Sequence, residues 1–154
     1  MDALHLAHRL LTAVPANRTA GVEVLHAVDG TARVTLTATD SLTTPNGALH
    51  AAGLVALLDA TGLAAVLSCC PTETQANTLA PVATSVTVDF RGPGLGPLVA
   101  ECVLDDEARV GLQELLSGRS GRARLRTTTE ITNCSGNVVC SGTFRWSVLA
   151  TAGR

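Results

Sequence analysis

The chain has 154 residues, 46% of them hydrophobic and 16% charged, which excludes a disordered protein and fits a single domain over residues 1–154. Its formal net charge of −2 argues against a general nucleic-acid binder. No basic segment followed by an unbroken apolar run opens the chain, so no signal peptide is predicted and we expect a cytoplasmic protein. Its five cysteines lack metal-ligand spacing, so we expect buried thiols and no metal site.

The chain begins with a predicted helix and a predicted hairpin. Apolar side chains at helical spacing predict a helix over residues 3–14, which Pro15 ends, so residues 1–19 are interpreted as an N-terminal helix and a linker. Two stretches that alternate apolar and polar residues predict strands joined by a tight turn at Asp29-Gly30. These strands and the loop after them cover residues 21–28, 31–39 and 40–47.

Residues 45–70, PNGALHAAGLVALLDATGLAAVLSCC, are almost all apolar or small, with one carboxylate, Asp59, near the middle. A long helix is predicted from about residue 50 to 70, and it must be covered on most sides because it is apolar nearly all round. A membrane span is disfavoured, since an Asp at mid-span costs about 2.5–3.5 kcal/mol and much of the run is weakly apolar Ala and Gly.

The C-terminal half is predicted to be mainly strand. A polar connector over residues 71–81 comes first, the turn-rich RGPGLGP occupies 91–97, and an amphipathic helix is predicted over 105–118. The predicted strands cover residues 82–90, 98–104, 122–132 and 137–149. This order predicts an α+β fold in which an antiparallel β-sheet of five to six strands wraps around the long central helix.

The order of these elements, with NGALHAAGLVALLDATG at the head of the central helix, resembles the hotdog-fold thioesterase superfamily, in the branch typified by phenylacetyl-CoA thioesterases (PaaI-like). The family pattern is Asn, a short gap, His-Gly-Gly and an acid nine residues after the His, a spacing that His50 and Asp59 match. Residues 86–102 and 130–148 resemble the family's strand–turn–strand and its closing hairpin. The helix over 105–118 is similar to one in a less well characterised hotdog branch.

The resemblance implies a single hotdog domain that forms a homodimer, or a dimer of such dimers, with its sites at the subunit interface. It implies hydrolysis of an acyl-CoA or acyl-carrier-protein thioester. Coenzyme A enters only as part of the substrate, so no cofactor is expected, and neither nucleic acid nor a membrane is an expected partner.

The resemblance points to seven candidate functional residues. Asp59 matches the general base or nucleophile, and Ala51 supplies the backbone N–H that polarises the thioester carbonyl, with His50 and Asn46 beside it. For substrate binding, Thr84 or Ser85 corresponds loosely to the family's polar residue on the strand after the helix, and Arg91 lies at the turn that resembles the family's Arg-Pro.

This sequence departs from the family pattern at two points. Ala51-Ala52 stand where the family has Gly-Gly, and Thr44 holds the usual place of the Asn, with Asn46 two residues later. A non-catalytic acyl-binding or structural hotdog dimer therefore remains an alternative. His50 fits either shaping of the helix entry or contact with the thioester, and Asn46 fits a simple turn equally well. A hydratase of the same superfamily is disfavoured because its Asp-x4-His motif is absent.

The residues also indicate a chemistry without reference to a family. A helix N-terminus presents unpaired N–H groups that can hold an oxyanion, and a carboxylate can activate water. His50 and Asp59 are nine residues apart, which is about 13.5 Å of helical rise and roughly 900° of rotation. Two antiparallel helices around a two-fold axis would bring the N-terminus of one to the Asp59 of the other, so the spacing favours a dimer.

Arg122, Arg124 and Arg126 alternate along a predicted strand and so share one of its faces. Such a face is either solvated or in contact with the phosphates of coenzyme A or the arm of a carrier protein.

Overall fold

The computed structural model describes residues 2–36 and 40–151. Within these ranges the chain forms five α-helices and six β-strands. The helices are α1 (Ala3–Ala13), α2 (Pro15–Ala20), α3 (Ala51–Leu67), α4 (Glu73–Thr78) and α5 (Asp106–Leu116). The strands are β1 (Val22–Val28), β2 (Thr31–Leu36), β3 (Leu79–Phe90), β4 (Leu98–Val103), β5 (Arg122–Asn133) and β6 (Val138–Ala150).

The six strands form one antiparallel sheet in the order β1-β2-β4-β5-β6-β3, so β1 and β3 are its edges. The central helix α3 packs on one face of this sheet and contacts β1, β2, β4, β5 and β6. We call this face the inner face and the opposite one the outer face. The predicted α+β fold, an antiparallel sheet around a long central helix, is confirmed.

Two glycines let α3 approach the sheet closely. A Cβ placed on Gly62 would lie 2.5 Å from Thr127 Oγ1, and one placed on Gly142 would lie 2.6 Å from Leu58 Cδ1. Both distances are shorter than real Cβ contacts, so any side chain at either position would push helix and sheet apart. Trp146 supports the contact, because its Nε1 donates a hydrogen bond to Thr127 Oγ1 (2.8 Å).

The β1–β2 turn is attached to the far end of α3. The Gly30 N–H donates to Ser68 Oγ (2.8 Å), and that hydroxyl donates to the Ala65 carbonyl (2.8 Å). The guanidinium of Arg109, on α5, covers Gly30 so closely that a Cβ there would lie 2.9 Å from Arg109 Cζ. With φ +78° as well, this position requires glycine. The hairpin, the central helix and α5 therefore meet at one point.

The structure corrects three predicted boundaries. The expected linker before residue 19 is the helix α2, since Pro15, which ends α1, is also the favoured first residue of a new helix. The expected connector over 71–81 contains α4, whose N-cap Thr72 accepts a hydrogen bond from the Gln75 N–H (3.2 Å). Strand β3 begins at Leu79, three residues early. The predicted strand end at 37–39 lies outside the described residues.

The central helix has 17 residues, and nowhere in the described ranges is a helix long and apolar enough to cross a membrane.

The cysteines divide by burial. Cys70, Cys102 and Cys140 are buried and Cys69 is half-buried, as expected, but Cys134 is exposed in the β5–β6 turn. Burial raises the pKa of the Cys70 thiol to about 12 and that of Cys102 to about 11, so both are protonated at neutral pH. In residues 2–36 and 40–151, no three His, Cys, Asp or Glu side chains lie close enough together to hold a metal ion.

Candidate functional site

The central helix begins at His50, which serves as its N-cap. The imidazole Nδ1 accepts a hydrogen bond from the Ala52 N–H (3.0 Å), so the neutral ring carries its proton on Nε2. The backbone of His50 is also engaged: its N–H donates to the Leu42 carbonyl (2.7 Å), and its carbonyl accepts from the Leu54 N–H (3.1 Å). His50 therefore fixes where the helix starts and how the preceding loop enters it.

Ala51 is exposed at the first helical position. No residue of the described ranges accepts a hydrogen bond from its N–H, whereas the next N–H, of Ala52, is bound to His50. Partial positive charge from the aligned peptide dipoles is concentrated at this helix end. The Ala51 N–H is thus a free donor aimed out of the helix N-terminus, and its methyl group is exposed beside it.

Asp59 lies two turns further along α3, on the one side of the helix that the sheet does not cover. That open side of α3 carries only apolar neighbours, at helical spacing, all exposed or half-buried: Ala52, Val55, Ala56 and Leu63. Within the described part of the chain, no hydrogen-bond donor or cation reaches the carboxylate of Asp59. Burial among apolar groups raises the pKa of Asp59 from 3.8 to about 6.

The free N–H and the carboxylate do not meet within one chain. Ala51 and Asp59 are eight residues apart, about 12 Å along the helix axis and roughly 80° apart around it. A single thioester carbonyl cannot contact both groups of one helix.

Asn46 occupies the third position of a four-residue turn. The Gly47 N–H donates to the Thr44 carbonyl (2.9 Å), and the Thr44 N–H donates to the Ala48 carbonyl (2.7 Å). Gly47 has φ +77°, which closes the turn. The turn places an exposed Asn46 in the loop that leads into α3.

The three predicted substrate-binding residues lie on or just after the edge strand β3. Thr84 is the extra residue of a bulge, where its hydroxyl donates to the Arg145 carbonyl (3.1 Å), and Ser85 pairs with Arg145. Arg91 donates from Nη2 to Ser141 Oγ (3.3 Å). Ser141 and Ser85 belong to the outer face. Arg91 opens a turn that reaches the start of α3, because the Gly94 carbonyl accepts a hydrogen bond from the Leu49 N–H (2.8 Å).

Sequence reasoning missed the apolar surface that β3 contributes. Val86 and Phe90 are 43% and 55% exposed, and their register with β6 puts them on the inner face. Val88, between them, pairs with Gly142, on which Leu58 of α3 packs. The open side of α3 and the inner side of β3 are therefore neighbours. Because α3 is apolar all round, no periodicity marked its open side; only Asp59 did.

Two cavities, of about 360 and 570 Å³, are present elsewhere in the described structure, and His50, Ala51 and Asp59 line neither of them.

The sequence of residues 5–148 matches the family model described as Domain of unknown function (DUF4442). The chain belongs to this family. No curated protein sequence matches the DUF4442 chain significantly.

Several solved structures similar to this chain carry thioesterase names, and others do not. A probable thioesterase from Pseudomonas aeruginosa has a TM-score of 0.75 at 22% identity, over 95% of each chain. The E. coli PaaI protein from the phenylacetic acid degradation operon has a TM-score of 0.67 at 22% identity, over 98% of this chain and 94% of that one. A hypothetical thioesterase from Streptococcus pneumoniae, solved with coenzyme A, has a TM-score of 0.66 at 21% identity, over 90% and 94%. These similarities confirm the predicted hotdog fold.

Proposed function

We propose that this protein is an acyl thioesterase that hydrolyses an acyl-CoA or acyl-carrier-protein thioester. The observation that carries the proposal is Asp59, a half-buried carboxylate without a partner among the described residues, on an otherwise apolar surface. Such a group costs folding free energy, which argues for a use in chemistry. The thioesterase names of the structural neighbours, one of them solved with coenzyme A, support the same reaction class.

In the proposed reaction the thioester carbonyl accepts a hydrogen bond from the Ala51 N–H at the positive end of α3. Ionised Asp59 takes a proton from water, whose oxygen adds to the acyl carbon. The C–S bond then breaks, and the departing thiolate takes the proton that Asp59 removed from water, so the thiol leaves and the carboxylate is ionised again. In the alternative route Asp59 attacks the carbonyl carbon and the C–S bond breaks, which releases the thiolate. Water then hydrolyses the resulting anhydride and supplies the proton that converts the thiolate to the thiol. Either route needs the carboxylate ionised, which a pKa of about 6 allows at pH 7.

We infer that two chains share each site. The donor and the carboxylate are about 12 Å apart along one helix, so the Ala51 N–H of one protomer would work with Asp59 of its partner. The 12-residue edge strand β3 supports this dimer, because a long exposed edge with apolar side chains favours pairing with another strand. A shared site also accounts for Asp59 lining neither cavity of the protomer.

The test is thiol release from acyl-CoAs of increasing chain length and from acyl-carrier proteins, with wild type, Asp59→Asn and Asp89→Asn. We expect Asp59→Asn to lower kcat/KM about 10²–10⁴-fold, the usual contribution of a general base. Asp89, exposed on β3, is the matched control and should leave the rate within about twofold. Wild-type turnover that Asp59→Asn leaves unchanged, or no turnover of any substrate, would replace the proposal with the non-catalytic acyl-binding dimer.

The dimer has its own test. Val86→Glu places a charge on the exposed inner side of β3 and should give monomers in light scattering after gel filtration. Val28→Glu is the control, since Val28 is similarly exposed (47% against 43%) on β1, the opposite edge of the sheet. Equal masses for the two variants would exclude β3 as the dimer edge.

A further inference from the structure

Ten arginines lie in the described ranges, and they divide into two groups. Six have their guanidinium groups engaged by a carboxylate, a carbonyl or a hydroxyl: Arg9, Arg18, Arg33, Arg91, Arg109 and Arg119. The other four have no hydrogen-bond partner for the guanidinium among the described residues. These four, which we call the arginine corner, are Arg122, Arg124, Arg126 and Arg145.

The strand register brings the arginine corner together on the outer face. Thr127 of β5 contacts α3 through Gly62, so its neighbour Arg126 points outward, and Arg124, two residues before Arg126, lies on the same face. Arg126 pairs directly with Arg145 across β5 and β6. Like charges directly opposite in a sheet repel each other and destabilise the pairing. Without a bound ligand, the placement of Arg126 opposite Arg145 does not stabilise the sheet.

Two carboxylates, Glu107 and Asp105, stand against the four cations of the arginine corner. Glu107, on α5, lies 4.0 Å from Arg126, but its side chain is 87% exposed, so the attraction is weak. Asp105 is nearby but already accepts a hydrogen bond from the Ala108 N–H (2.8 Å) as the N-cap of α5. Elsewhere on the outer face, by contrast, Arg33 is bound to Glu101 at 2.7 Å. The corner is therefore a local excess of positive charge in a chain whose net charge is −2.

A cavity adjoins these charges. Its volume is about 360 Å³. Arg124, Arg126 and Arg145 line it together with Thr84 and Ser147, and the carboxylates of Asp105 and Glu107 belong to the same lining. This volume lies within the range of small-molecule sites. Guanidinium groups bind phosphate oxygens in pairs, and hydroxyl groups add further donors. Three guanidinium groups around one cavity match a ligand with two adjoining phosphate groups better than they match a ligand with a single carboxylate.

We propose that the arginine corner is a binding site for a diphosphate group, either free or as part of a nucleotide such as the one in coenzyme A. The ligand neutralises the Arg126–Arg145 pair and contacts Arg124 from the same cavity. The site does not include Asp59, and only its coenzyme A form rests on the proposed hydrolysis.

The experiment measures binding of inorganic pyrophosphate to the intact protein by calorimetry at low salt, with melting temperature as a second readout. Arg126→Gln and Arg145→Gln should each weaken binding about tenfold, as expected for the loss of a charge-assisted hydrogen bond. Arg33→Gln is the matched control: Arg33 and Arg126 are both 52% exposed on the same face, and this change should alter affinity less than twofold. Without ligand, Arg126→Gln should melt no lower than wild type, because it removes a repulsion.

Further arms identify the source of the diphosphate. If ADP and coenzyme A bind as pyrophosphate does, and Arg145→Gln raises KM for an acyl-CoA with kcat unchanged, the site holds the nucleotide of the substrate. Binding of pyrophosphate and ADP with unchanged KM assigns it to a separate phosphate ligand. Asp59→Asn should bind pyrophosphate like wild type, so failure of the thioesterase proposal is distinguishable. No pyrophosphate binding by wild type, or equal weakening by Arg33→Gln, overturns the proposal.

Discussion

The two sides of α3 share an apolar composition but differ in packing. On the sheet side, Gly62 against Thr127 and Leu58 against Gly142 leave no room for one more methyl group. On the open side, small and aliphatic residues surround Asp59 without covering it. One side holds the fold together, and the other is a surface with one charged group. Hydrophobicity alone therefore does not distinguish a core from a binding surface in this helix.

The largest expected effect is the pH dependence of kcat/KM, which depends on Asp59 on the open side of α3. Because hydrolysis requires ionised Asp59 and its pKa is raised to about 6, kcat/KM should fall about tenfold for each pH unit below 6 and level off above 7. Between pH 8 and pH 4 the loss should reach about 100-fold. The measurement is a pH profile of kcat/KM, with circular dichroism to verify folding. A flat profile through pH 6 would remove Asp59 from the chemistry.

The packed side is tested by adding one methyl group. Gly62→Ala should lower the free energy of unfolding by about 2 kcal/mol through overpacking against Thr127, despite a helix propensity gain of about 1 kcal/mol. Urea unfolding followed by fluorescence of Trp146, the only tryptophan, measures this change.

Gly111→Ala in α5 is the control for Gly62→Ala. A Cβ there meets only Ala123 Cβ, at 3.9 Å, so this variant should be stabilised by up to about 1 kcal/mol. Equal changes in the two variants would mean that α3 is not tightly packed on the sheet.

Asp59→Asn should raise the stability of the protein while it lowers the activity. Since burial raises the pKa of the carboxyl group, the folded state favours its protonated form, and wild-type stability falls as the pH rises from 3.8 to about 6. The variant lacks this loss and should be about 1–2 kcal/mol more stable at pH 7, with the advantage gone below pH 3.8. Urea midpoints at pH 3.5, 5 and 7 test the sign; a variant less stable at pH 7 would show that the carboxylate holds the fold.

The smallest expected difference is in unfolding free energy, when Ala is replaced by Ser on each side of α3. Ala64→Ser buries a hydroxyl in the fully enclosed side and should cost about 1 kcal/mol. Ala56→Ser, on the half-buried open side, should cost less than about 0.5 kcal/mol. Urea unfolding curves of the two variants, measured on the monomer, decide the comparison. A larger loss of unfolding free energy in Ala56→Ser than in Ala64→Ser would mean that the two sides of α3 were assigned wrongly.

Much of the fold was predictable because its signals are local. Period-two alternation gave the strands, and Asp29-Gly30 gave the hairpin turn, which has φ 45° and 78° at these residues. The helices α2 and α4 were missed because each has only six residues, too few for a periodic pattern.

The candidate site was predictable only in part. The position of Asp59 on the central helix follows from its isolation in an apolar run. The strand order that leaves β3 at an edge depends on contacts between distant segments, and so does the pairing of Arg126 with Arg145. No local pattern encodes such contacts, so neither the open apolar surface nor the cavity beside the arginines could be read from the residues alone.

The junction of the first hairpin with the far end of α3 has a consequence for hydrogen exchange. The amide of Gly30 is bound to the buried hydroxyl of Ser68, 38 residues away, and Arg109 covers it. That amide can exchange with solvent only when the hairpin, the helix end and α5 separate. In deuterium its protection should therefore follow the global opening of the molecule, in contrast to the fast exchange usual for a tight turn.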